Sequence, residues 1–371
     1  MSTHIKALAE SFGISDLHTP LRGLGLSEAE IDDTGRLLGL AWGGNARARQ
    51  AVNEALTTSD LFVSAAGEVF DRALLAEYDR MPVQWTKVSA RTVVTDFRPK
   101  KYVDLLGGRG TLARVPEHTN YPEATTSSAE ISIKAEKYGE QYGYTFEARK
   151  NDRLNELQRI PSGFAAKARA TEDAATLAAL ANPITGAPNT ALFNPANKNI
   201  YTGALTADNV QAAITALTTI KDVDGNLLYP GPLKVVVGPA LRFVASRLFG
   251  AQQIRTTTSG VEVVEANPLA GQAWDVLDNL PGTAWYVIPV PSNPRPALFT
   301  VFMAGEESPD LRVKKDQGIS IGGGDVPVEA GSFDDDTIYF RVRHITGGAQ
   351  GDPKFTLASD GTGTTLTKAG W

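Results

Sequence analysis

Between residues 85 and 149 the apolar pattern takes on a period of two, the signature of strands, without any sign of the second layer that strands need. Val93, Thr95 and Phe97 alternate with Val94, Asp96 and Arg98 until Pro99 ends the run. On the return limb Ala129, Ile131, Ile133 and Ala135 share one face, and Glu130, Ser132, Lys134 and Glu136 share the other. The phase then reverses, with Tyr138, Tyr142, Tyr144 and Phe146 at even positions, so a bulge or bend near 136–139 is expected to restore one buried face. The tip between the limbs, 107–128, holds glycines, Pro116, Pro122 and mixed charges but almost nothing to bury. A two-stranded ribbon of this kind is marginal in isolation. It is therefore predicted to dock on a neighbouring domain or on another subunit.

The flanking segments have ordinary signatures. Residues 1–58 alternate short helical patterns, such as 28–40 behind a Ser27 cap, with Gly-rich breaks, and carry too few apolar residues for a core: an arm that packs on something else. Phe62, Ala66, Val69, Phe70, Ala73 and Leu74 recur at helical spacing over 61–78, which predicts an amphipathic helix stopped near Pro82. Residues 151–181 read as one long Ala-rich helix with Leu154, Leu157, Phe164, Ala168, Ala175 and Ala178 on its buried stripe and Pro161 as a break or kink. The Asn/Pro-rich stretch 183–199 reads as a linker or surface loop. An α/β region follows, with helices at 206–221 and 239–249 and strands at 233–237, 261–264, 284–290 and 297–302. The polar loop 250–260, which contains Arg255, is either a solvated loop or an intersubunit contact. Late strands at 311–315 and 337–345 precede a Gly/Thr tail expected to be poorly ordered.

Composition removes several function classes. The sequence has no cysteine, which excludes disulfides, thiolate metal clusters and a Cys nucleophile. A net charge of −6 offers no general basic field for nucleic acid. The longest uncharged stretch, 174–197, is interrupted by Pro183, Pro188 and Pro195 and is unsuited to crossing a membrane. The opening segment lacks the apolar centre of a signal peptide, so a soluble protein made in the cytoplasm is expected.

Chemical motifs fail on context. Gly318-Ile319-Ser320-Ile321-Gly322 matches a nucleophile elbow, with Asp334 to Asp336 and His344 in triad order. An elbow needs a helix after it, and a Gly-rich run follows instead. The match Gly108-Arg109-Gly110-Thr111-Leu112-Ala113 lacks the helix that would face a pyrophosphate. In Asp222-Val223-Asp224-Gly225-Asn226, Leu227 and Leu233 occupy the positions where a calcium loop needs Gly and Glu. The four histidines are scattered. No catalytic, cofactor or metal site is predicted.

The order of elements, together with the segments FVSAAGEVFDRALLAEYDRMPVQWTKV, YGEQYGYTFEARKNDRLNELQRIP and DDDTIYFRVRHITGGAQGDPK, resembles the major capsid proteins of tailed bacteriophages with the Hong Kong 97 fold. The resemblance implies an α+β fold laid out as an N-terminal arm (1–60), an amphipathic helix (61–82), an extended β-ribbon loop (83–150), the spine helix of a peripheral domain (151–181), an axial domain (182–302), returning peripheral strands (303–346) and a C-terminal tail (347–371). It further implies hexamers and pentamers in an icosahedral virion shell around double-stranded DNA, assembled in the bacterial cytoplasm with portal, scaffolding and possible decoration partners. DNA would be enclosed without sequence-specific binding. Lys100, Lys101, Arg109, Arg114, Glu117, Glu123 and Arg255 are the candidate intersubunit residues. Two other readings stay open: an encapsulin-like nanocompartment shell, and a serine hydrolase using Ser320.

Two departures from parts of that family shape the expectations. Some members carry Lys–Asn isopeptide cross-links; lysines stand at 100, 101, 134 and 137, but residues 303–346 contain no asparagine, so such a bond to that region is not expected. Residues 1–58 are too short and Gly-interrupted for a built-in scaffold, so a separate scaffolding protein is expected.

Overall fold

A computed structural model describes residues 71–104, 129–150, 154–221, 227–258, 261–319 and 331–368, with isolated positions at 36, 37, 40, 45, 47, 48, 115, 117, 321 and 326. In chain order the first elements are α1 (71–80), β1 (Ala90–Val94), β2 (Lys100–Asp104), β3 (Ala129–Ile133), β4 (Glu136–Tyr144), α2 (Phe146–Lys150) and α3 (Leu154–Leu180). Then come β5 (Ile200–Thr202), α4 (Ala207–Thr218), β6 (Leu233–Val237), α5 (Arg242–Gly250), β7 (Gln253–Thr258), β8 (Val261–Ala266), β9 (Trp274–Val276) and β10 (Trp285–Pro289). The last are β11 (Leu298–Met303), β12 (Asp310–Val313), β13 (Ile338–Gln350), β14 (Leu357–Ser359) and β15 (Thr367–Lys368).

The chain separates into two compact units: Met1–Pro82, Lys137–Thr171 and Gly305–Ile345 in the first, Val83–Glu136, Glu172–Ala304 and Thr346–Trp371 in the second. In the first, β4 and β12 both pair with β13, the latter antiparallel from Asp310↔Arg343 to Val313↔Phe340. A Cβ on Gly139 would stand 2.8 Å from the Val342 carbonyl oxygen, so β4 lies against β13 at a distance only glycine allows. The apolar stripe of α1 is buried through Ala73, Leu74, Leu75 and Tyr78. Arg169 of α3 stacks on the Tyr78 ring at 3.5 Å and donates from Nε to the Tyr78 carbonyl at 2.9 Å.

The second unit is built on a six-stranded sheet in the order β15-β5-β14-β10-β6-β9. All five residues of β10 are buried, because both faces of the sheet are covered. Trp285, Val287, Val235 and Val237 face α4 and α5 through Val210, Ala213, Ala245 and Phe249. Tyr286, Ile288 and Val236 join the other cluster, with Leu177, Leu180, Leu192, Phe193 and Leu298. The α4 helix begins where the Thr206 hydroxyl accepts from the Asn209 amide. Alongside, β11 runs parallel to β1 and antiparallel to residues 346–350 of β13.

Four expectations need correction. The period-two region is not one continuous ribbon: β1 pairs with β11 and β4 with β13, leaving only β2 and β3 to pair with each other. The strand breaks at Lys134 and Ala135, the odd phase is kept through the buried Ala135, and the later even phase does not bury every position, since Tyr138 and Phe146 are exposed and Phe146 opens a helix. The stretch 183–199 is not a surface linker, because Leu192 and Phe193 are buried and Asn194 and Asn199 side chains tie its turns together. The region 250–260 is mostly strand β7 of a hairpin, and the tail supplies β14 and the buried Phe355, Leu357 and Ala358 to the second unit. The arm, residues 61–70 of the helix and the tip 107–128 fall almost wholly outside the described residues.

Candidate intersubunit surfaces

Two antiparallel ribbons of the second unit have no further strand neighbour among the described residues. One is β2–β3, in register from Lys100↔Ile133 to Asp104↔Ala129; the other is β7–β8, from Gln253↔Ala266 to Thr258↔Val261. Lys100 and Lys101 lie on the first ribbon, and Lys100 Nζ is held at its base by the Thr95 hydroxyl at 2.9 Å. Arg255 is exposed on the second ribbon, opposite Val264. Glu117 is an exposed turn residue, whereas Arg109, Arg114 and Glu123 lie outside the described residues. Among the described candidates, Lys100 and Lys101 thus lie on one ribbon and Arg255 on the other.

The first unit offers two features that the sequence did not single out. A groove of about 250 Å³ is lined by Tyr142 of β4 and by Arg159, Ile160, Gly163, Phe164 and Lys167 of α3. Its rim is tied across by Lys167, whose Nζ donates to the Glu140 carboxylate at 2.5 Å. Arg159 is exposed beside it. A Cβ built on Gly163 would meet nothing within 4 Å. A mid-helix glycine costs roughly 0.5–1 kcal/mol relative to alanine, and no packing among the described residues requires this one.

The second feature is the turn 331–337. The Ser332 hydroxyl donates to the Asp316 carboxylate at 2.8 Å, and the Phe333 amide donates to the Asp316 carbonyl at 3.0 Å. The Asp336 amide closes on the Ser332 carbonyl at 3.0 Å, and the Thr337 amide donates to Asp335 Oδ1 at 3.1 Å. The Tyr339 hydroxyl donates to Asp335, and Lys314 pairs with Asp316. Those two partners hold both carboxyls below their ordinary range, and the Tyr339 hydroxyl and Lys314 ammonium are raised in return. The turn is therefore fixed, yet it presents Phe333 at 79% exposure. Gly318, at φ +78°, has no Cβ to obstruct the ring, which a Cβ there would approach to 3.0 Å.

Neither feature resembles a reaction centre. His344, the histidine of the elbow match, is buried in β13 with its ring edge-on to Tyr78 at 5.7 Å. Ser320 and the whole of 107–110 and 222–226 lie outside the described residues. Among the described residues no group of three His, Asp or Glu side chains could hold a metal, and no helix is long and apolar enough to cross a membrane.

The family model described as phage capsid protein matches residues 128–359, well over half of the chain. No curated protein matches it in sequence. Among solved structures, a chain of Gordonia phage Cozz aligns at 15% identity and TM-score 0.40, over 74% of this chain and 84% of that one. The mature capsid of bacteriophage PhiM1 aligns at 11% identity and TM-score 0.42, over 75% and 87%. The SrpI encapsulin complex of Synechococcus elongatus aligns at 10% identity and TM-score 0.37, over 74% and 85%.

Proposed function

Because the chain belongs to the phage capsid protein family, we propose that it closes, as hexamers and pentamers, an icosahedral shell around double-stranded DNA. It is a capsid shell subunit, a structural protein of the virion with an α+β, Hong Kong 97-like fold. The observation that supports the finer reading is the pair of two-stranded ribbons, β2–β3 and β7–β8, which share no sheet with the rest of the described chain. Two strands alone are marginal in water, so each ribbon gains its second layer from a neighbouring copy. In this reading 83–150 is the extended loop, narrowed at β2–β3 to its free part, α3 is the spine helix, and the six-stranded sheet belongs to the axial domain. Lys100, Lys101, Arg109, Arg114, Glu117, Glu123 and Arg255 supply intersubunit charge contacts, each worth about 0–1 kcal/mol where exposed but repeated around the shell. Assembly takes place in the host cytoplasm with a portal and a separate scaffolding protein, and decoration proteins are compatible with it.

Electron microscopy of the purified full chain, with and without the scaffolding partner, tests the proposal. Closed particles with hexameric and pentameric capsomers are expected, and a monodisperse monomer under all assembly conditions would overturn it. Intact-mass measurement of denatured particles is expected to give monomer mass, in keeping with the absence of asparagine from 303–346.

A further inference from the structure

We propose that Phe333 of one copy enters the α3 groove of a second copy, seated at Gly163, with Asp334 beside Arg159. The inference rests on the shell reading and adds a specific contact to it. Three observations carry it. The groove has an apolar floor, Ile160 and Phe164, and a notch at Gly163 that no described residue of its own chain fills. The turn that holds Phe333 is locked by the hydrogen bonds of Ser332, Asp335 and Asp336, so an exposed aromatic ring is offered with little conformational freedom left to lose. Within one chain Phe333 is 79% exposed while the groove stands open, so the ring does not occupy the groove of its own subunit.

Charge selects the occupant. The groove rim carries the exposed Arg159 and the Lys167–Glu140 pair, and Phe333 is followed directly by the exposed Asp334. An apolar anchor with an adjacent carboxylate is the complement of an apolar notch with an adjacent guanidinium. The two surfaces are different patches of one chain, so the contact is head-to-tail and repeats from copy to copy until it closes, as a shell requires.

The cysteine-free sequence makes the test direct. Arg159→Cys and Asp334→Cys chains, both altered at exposed positions, are co-assembled and treated with a short bis-maleimide. A covalent dimer is expected in the mixture and not in either variant alone. Phe333→Ala is expected to raise the concentration for half-assembly by about tenfold or more with an unchanged circular-dichroism spectrum. Arg159→Asp is expected to impair assembly and to be rescued by Asp334→Arg. Particles that form without the dimer, or Arg159→Cys cross-linking to a protein of different mass in virions, would overturn the contact and leave the shell reading standing. Failure of the unaltered chain to assemble would overturn the shell reading, and the contact with it.

Discussion

Trp85 donates its indole N–H to the Glu172 carboxylate at 2.9 Å, in a place where that carboxylate is fully buried. The neighbouring Asp173 accepts the backbone amides of Gln84 and Trp85 at 2.9 and 2.8 Å, so two consecutive acidic residues of α3 fix the short helical turn before β1. A buried charge is tolerated only when its hydrogen bonds are made.

Replacing Trp85 by Phe keeps most of the ring volume and removes this donor. The expected loss is about 1.5–3 kcal/mol, the usual net contribution of a hydrogen bond to a charged group. Urea unfolding of the unassembled subunit measures it, and an unchanged midpoint would show that the bond contributes nothing.

Gly348→Ala acts at the contact of β13 with α3. The added Cβ would fall 2.0 Å from the Ala175 carbonyl oxygen and 2.6 Å from its carbon, and both belong to backbone. Overpacking of about 1–3 kcal/mol or more is expected, read as a fall in subunit melting temperature.

Gly163→Ala should do the opposite to the isolated subunit. Its Cβ meets nothing among the described residues, so helix propensity decides, and the subunit should gain about 0.5–1 kcal/mol. Thermal unfolding of the unassembled chain checks the sign. A destabilised subunit would mean that the notch serves its own fold.

The carboxyls of Asp316 and Asp335 are depressed by Lys314 and Tyr339 respectively, each partner being the largest influence on its carboxyl. A depressed acid stabilises the fold above its unfolded value and loses that contribution as pH falls through its folded value. The turn 331–337 should therefore loosen only below the ordinary carboxylate value of 3.8. At the alkaline end Tyr339 and Lys314 are raised, so their contributions are complete below their ordinary values of 10.0 and 10.5 and fade as pH rises through the raised ones. Ultraviolet titration should place the Tyr339 phenol above free tyrosine, and Asp335→Asn should bring it back. A phenol that titrates normally in the unaltered protein would refute this.

Strong periodicity was legible in the sequence. The apolar run Leu233–Val237 and the helical spacing over 206–221 appear as strand and helix, the helix running from Ala207 to Thr218. Partner choice was not, because Val93 and Val94 alternate equally well whether β1 pairs with the return limb or, as it does, with β11. Composition misled at both loop-like stretches: the Gly- and Thr-rich tail hides Phe355, Leu357 and Ala358, three apolar residues in four, and the prolines around Leu192 and Phe193 mark turns folded onto the core. Phe333 gave no signal as a lone aromatic in a polar turn, since only the hydrogen bonds of Asp316, far from it in sequence, make it a fixed projection.

The position of β14 has a consequence for how the protein is made. Residues 357–359 lie between β10 and β5 and link β5 and β15 to the rest of the sheet. A ribosome must therefore release nearly the whole of this sequence before that sheet can close, while residues 200–202 wait with an unfilled edge. A nascent chain that has not yet yielded residues 357–359 therefore offers only an incomplete second unit.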